Sequence, residues 1–91
     1  MLPPRISKAV RNENEFPYII QLAVVADKLE AELGRRIVQF HKLRHIEPRH
    51  GRRMFQQGKV FYRWCFFDLS TAHAFVEQFG GEFYKPRLNP D

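Results

Sequence analysis

A single cysteine, Cys65, is all the chain offers in 91 residues. No disulfide can close within it, and no zinc motif built on cysteine pairs can be written. Thiol scarcity of this kind fits a reducing compartment, so a cytoplasmic location is expected. Long apolar runs are lacking too. The longest, from Leu22 to Ala26, is five residues, against the roughly 20 of a membrane-spanning helix. Met1-Leu2-Pro3-Pro4 opens no apolar signal core, and no membrane partner is expected. Glycine-rich phosphate loops, a His-Glu-x-x-His pair and carboxylates spaced for acid–base work are all missing. The chain therefore reads as non-enzymatic, with no catalytic residue and no cofactor.

What it does hold is phenylalanine, nine of them, within a hydrophobic content of 44%. That suffices for a packed core in one small domain. Residues 1–14 are polar, carry Pro3-Pro4 and show no period, which predicts a flexible tail. A domain over 15–85 follows, and 86–91 form a second tail broken by Pro86 and Pro90. Aromatic and β-branched residues from Glu15 to Leu22 predict a strand. Asp27 and Glu30 make a capping-box variant. Leu29, Leu33, Ile37 and Phe40 then recur at helical spacing, predicting a helix over about 27–45. Gly34 falls on its back with Ala31 and Val38. Residues 51–56 and 59–67, separated by Gln57-Gly58, predict a hairpin. Asp68 or Ser70 caps a second helix whose apolar face is Ala72, Phe75, Val76 and Phe79, and Gly80 ends it. Glu82 to Lys85 is a last short strand.

The order β-α-β-β-α-β is that of a ferredoxin-like α+β domain: a four-stranded antiparallel sheet, usual order 4-1-3-2, with two helices on one face. Alternation along residues 59–67 puts Val60, Tyr62, Trp64 and Phe66 on one side and Phe61, Arg63, Cys65 and Phe67 on the other. A lone guanidinium is rarely buried. Arg63 is therefore expected on the open face and Trp64 under the helices.

Charge is placed unevenly. Residues 35–53 carry seven basic side chains and one acid, +6 within a chain whose net charge is +5. In the expected topology the end of the first helix, the start of the second strand and the start of the second helix share a pole. Arg44, His45, Arg49, His50, Arg52 and Arg53 would gather there, with Arg63, Lys85 and Arg87 nearby. The helix N–H groups at Ser70, Thr71 and His73 would add partial positive charge. Such a pole predicts binding to nucleic-acid phosphates or another polyanion; the alternative is a solvated face that only aids solubility. A homodimer is the other expected partner arrangement, through an open sheet face bearing Ile19, Phe61 and Phe67 or through Ala31, Gly34 and Val38.

Three further constellations are weaker. His41 and His45 have the spacing of a helical metal pair, but Lys42 and Arg44 beside them would repel a divalent cation, so no metal is expected. Cys65 lies between Trp64 and Phe66 and reads as a small apolar strand residue rather than a nucleophile. Tyr62 and Trp64 have the density of an RNA-stacking strand, but facing them outward would force Arg63 into the core.

The block Arg63-Trp64-Cys65-Phe66, Asp68, Ala72, Ala74-Phe75 and Phe79-Gly80-Gly81, with Arg49-His50-Gly51-Arg52 upstream, resembles small uncharacterised alphaproteobacterial proteins over roughly residues 15–83. The resemblance implies a small cytoplasmic bacterial protein. It brings no activity, substrate or catalytic residue.

Overall fold

The computed structural model describes residues 7–25 and 31–84. The capping box at Asp27 and Glu30, and Lys85 and Arg87 of the expected pole, lie outside the described residues. Within them the chain is α+β, with a four-stranded antiparallel sheet and three helices: α1 (Lys8–Glu15), β1 (Tyr18–Val25), α2 (Ala31–Leu43), β2 (Met54–Gln56), β3 (Lys59–Phe66), α3 (Leu69–Phe79) and β4 (Glu82–Tyr84). The strands run in the order β2-β3-β1-β4.

The central pair sets the register. Ile20 lies opposite Trp64 and Gln21 opposite Arg63 along the full length of β1 and β3. Alternation then sorts the sheet into two faces. On one, Ile20, Trp64 and Phe66 meet Ile37 and Phe40 of α2 and Ala72 and Phe75 of α3. Phe75 is the hub, with Phe40, Trp64, Phe66 and Phe79 rings all 4.9–5.5 Å from its own. Trp64 is buried, as its place in the alternation predicts. Asp68 is the N-cap of α3, accepting from the Thr71 N–H at 3.0 Å. Gly80 ends that helix at φ 89°, a left-handed turn that a side chain would strain, and its N–H donates to the Val76 carbonyl.

The other face is not open. Helix α1 covers part of it, and the expectation of a flexible tail over residues 1–14 is corrected from Ser7 onward. Ser7 caps α1 by accepting from the Val10 N–H at 3.1 Å. Asn12 is buried and donates to the His50 carbonyl at 2.9 Å. With α1 in place, Ile19, Cys65 and Arg63 are buried too. The expectation that Ile19 and Arg63 face solvent is therefore corrected. The domain therefore includes α1 as well as the residues from 15 onward.

The edge beside β3 is longer than β2 alone. Met54 pairs with Phe61, while His50 forms an isolated bridge with Trp64. A step of four residues thus meets a step of three, which is a one-residue bulge. Backbone bonds from Gly51 N to Arg63 O and from Cys65 N to Arg49 O, each 2.8 Å, hold the segment beyond it. Arg52 and Arg53 sit in this bulge, where the side-chain alternation of a regular strand is broken.

Candidate binding surfaces

The buried guanidinium of Arg63 organises the α1 side of the molecule. Arg63 is 5% exposed, and what makes this tolerable is the carboxylate of Glu13, itself 6% exposed at the side chain. Arg63 Nη1 lies 3.2 Å from both Glu13 oxygens. Its Nε donates to Gln21 Oε1 at 2.9 Å, and its Cζ stacks 3.7 Å from the centre of the Tyr84 ring. Glu13 also accepts from the Arg52 backbone N–H at 2.6 Å and from Arg52 Nη2 at 2.9 Å. Burial alone would raise the Glu13 pKa. The bonds from the Arg52 side chain and backbone and from Arg63 outweigh it and hold the carboxyl below its ordinary range. Gly51 makes room for this: a Cβ there would stand 2.5 Å from Glu13 Oε2 and 3.0 Å from the Arg63 Cβ.

This arrangement redistributes the expected anion-binding set of Arg44, His45, Arg49, His50, Arg52, Arg53 and Arg63. Arg63 is withdrawn from the surface, and Arg52 is ion-paired with Glu13. Arg49 pairs with Glu47 at 3.2 Å and lies 5.6 Å from the Phe16 ring. Arg44 is exposed but folded back on its own helix, 3.8 Å from the Phe40 ring centre. His45 is exposed at the end of α2, in the left-handed region at φ 56°. His50 is exposed as a residue, yet its ring lies 5.9 Å from Trp64. That partial burial, with Arg53 nearby, lowers its pKa. Arg53 is exposed and has no ion pair among the described residues. At the start of α3 the Asp68 carboxylate already takes the Thr71 N–H, the Thr71 hydroxyl and the Ser70 hydroxyl on its Oδ2, and it sets a negative charge at that helix end.

Cations without an ion pair among the described residues gather instead on α2. Arg35, Arg36 and Lys42 are all exposed; at 100° per residue Arg35 and Lys42 lie within about 20° of each other on its solvent side, and Arg36 lies on the flank, its guanidinium 5.9 Å from the Phe79 ring centre.

His41, the first half of the helical histidine pair, is 1% exposed. Its Nδ1 donates to the Ile37 carbonyl at 2.8 Å, and its ring stacks on Phe66 at 14°. That bond leaves Nε2 as a bare acceptor, and it has no partner among the described residues. Burial, then the charges of His50 and Arg44, push its pKa down. Among the described residues no three His, Cys, Asp or Glu side chains are grouped to hold a metal ion. Burial pushes the Cys65 thiol up to about 12, which leaves it without nucleophilic character. Tyr62 and Trp64 belong to the face under α2 and α3, so β3 does not present them as a stacking platform. Among the described residues no helix is long and apolar enough to cross a membrane.

No family model matches this chain, and comparison with curated proteins and with solved structures gives no match.

Proposed function

We propose that the chain is a non-enzymatic binding module of ferredoxin-like type, working in a bacterial cytoplasm, that contacts nucleic-acid phosphates through the solvent side of α2. The strand order reads 4-1-3-2 from the β4 edge, and α2 and α3 share one face of the sheet; both support the ferredoxin-like assignment. Helix α1, on the other face, is an addition to that plan. The observation that carries the binding reading is the row of exposed Arg35, Arg36 and Lys42, which have no ion pair among the described residues. Arg44 and His45 extend it beyond the helix. Phosphate contacts release counterions, so affinity falls steeply with salt.

The test is anisotropy of a labelled single-stranded oligonucleotide across a salt series. Arg35→Glu with Lys42→Glu weakens binding on all sequences alike and flattens the log–log salt slope by about 1.4, at roughly 0.7 per lost contact on a single strand. The control pair, Arg11→Glu with Lys59→Glu, alters exposed cations elsewhere. Equal effects from the two pairs, or no binding at about 0.15 M salt, would leave the cations as a solubility feature.

A second reading, self-association, is favoured by the β2 edge. Phe55 is 76% exposed there beside exposed Met54, and an apolar edge strand is a template for pairing. Light scattering tests it: a mass that stays monomeric at high concentration removes this reading, and a dimer abolished by Phe55→Lys sustains it.

A further inference from the structure

A cavity of about 500 Å3 lies between one flank of α2 and the β1–β3 pair. Leu33, Ile37, Val38, Val24, Tyr62 and Trp64 make most of its wall apolar. Ile37 and Trp64 are buried at its base, while His50 and Arg53 are exposed lining residues. The volume is that of a small-molecule site, and an apolar wall with a few polar groups is the usual composition of one.

The charge of the lining points to a ligand of particular chemistry. Trp64 is 6% exposed and lines the cavity, with its Nε1–H buried away from the open space. Arg53 carries a charge that no described carboxylate pairs. The other arginine of the lining, Arg63, is already bound to Glu13, and partial burial and the charge of Arg53 lower the pKa of His50. The site thus offers one cation and an apolar wall.

We propose that this cavity binds a small monocarboxylate with an aliphatic or aromatic body, its carboxylate answering Arg53 and its body lying against Leu33, Ile37 and Val38. The site goes beyond the polyanion reading and does not depend on it, since neither Arg35 nor Lys42 lines the cavity. Gly34 supplies the decisive variant. It lines the cavity, and a Cβ built on it meets nothing within 4 Å. A side chain at 34 can therefore begin at its Cβ without displacing a neighbour.

The probes are octanoate and 1-octanol, which share a body and differ in charge. Trp64 is the sole tryptophan, so its indole N–H gives one unambiguous signal in a nitrogen–proton correlation spectrum. Octanoate is expected to shift that signal saturably. Gly34→Phe abolishes the shift, and Gly34→Ala, which also removes the helix glycine but fills little space, retains it. Arg53→Gln weakens octanoate by roughly tenfold, the scale of one charge-assisted contact, and leaves octanol unchanged. Thermal melts confirm that each variant folds, and Val38→Trp, at another lining position, is the second filling variant should Gly34→Phe fail to fold. Absence of a saturable indole shift, a shift that survives filling, or equal weakening of both probes by Arg53→Gln would overturn the proposal.

Discussion

Removing the Glu13 carboxylate should be among the most damaging changes available outside the aromatic core. In Glu13→Ala the Arg63 guanidinium stays under α1, 5% exposed, with only Gln21 Oε1 and the Tyr84 ring left to it. Leaving one charge of a buried pair uncompensated costs about 3–5 kcal/mol. Arg52 adds only about 0–1 kcal/mol, because its side chain is 56% exposed and water replaces the lost partner. Against a total stability of about 5–15 kcal/mol this is a large share. With an m-value of about 1–2 kcal/mol/M, the urea midpoint falls by roughly 1.5–5 M. Glu15→Ala, at an exposed position on the same helix, is the control and should be close to neutral. Replacing Glu13 by Leu and Arg63 by Met together removes the charge and its need for a partner at once, so most of the loss should return. A Glu13→Ala cost under about 1 kcal/mol, or a double variant no better than the single one, would refute the reasoning.

The same carboxylate sets an acid limit. Its folded pKa lies below the ordinary 4.5, so the unfolded chain takes up the proton first as pH falls. The stability it contributes is fully present above about 4.5 and is lost as pH drops through the folded value.

Three further outcomes follow from buried groups. His41, depressed below its ordinary 6.5 by burial, contributes stability that is complete above that value and declines as pH falls through the folded pKa; denaturant curves from pH 8 to 5 should show this decline, and His41→Gln should flatten it. Cys65, pushed up to about 12, should resist iodoacetamide at pH 8 in the native state and react once urea unfolds the chain; fast native labelling would contradict its burial. Gly51→Ala should destabilise by about 1–3 kcal/mol in thermal melts, since the added carbon would press on Glu13 and Arg63; a neutral result would mean that α1 yields easily.

The elements that a local pattern specifies were legible in the sequence. Leu33, Ile37 and Phe40 mark the buried side of α2, and Ala72 and Phe75 that of α3, because helical spacing is written in the side chains themselves. The assignment of Trp64 to the core came from strand alternation in the same way. Helix α1 was not legible, since it has no apolar stripe: its buried positions are Asn12 and the side chain of Glu13. A polar helix of eight residues has little stability alone, and what holds this one is a contact 50 residues away along the chain. Arg63 was misplaced for the same reason. Alternation put it opposite Trp64, and the rarity of buried arginine then argued for solvent, but that rarity applies only to arginine without a partner.

The consequence for the basic surface is physical rather than a matter of counting. Formal charge summed along residues 35–53 treats seven cations as equivalent, yet one acid from outside the block binds Arg52, which lies inside it, and also Arg63 beyond it. Glu47 pairs with Arg49 within the block. What remains available to an anion is set by which guanidinium groups the fold has already paired, and that moves the strongest cationic ground from the bulged edge at Arg52 to the solvent side of α2. It also leaves Arg53 of the same bulge, without an ion pair among the described residues, as a charge beside an apolar cavity. A lone cation in that setting discriminates by charge type rather than by charge density. A polyanion gains little from it, whereas a small apolar acid meets one charge and one wall, which is why the two proposed sites can be separated by substitutions that share no residue.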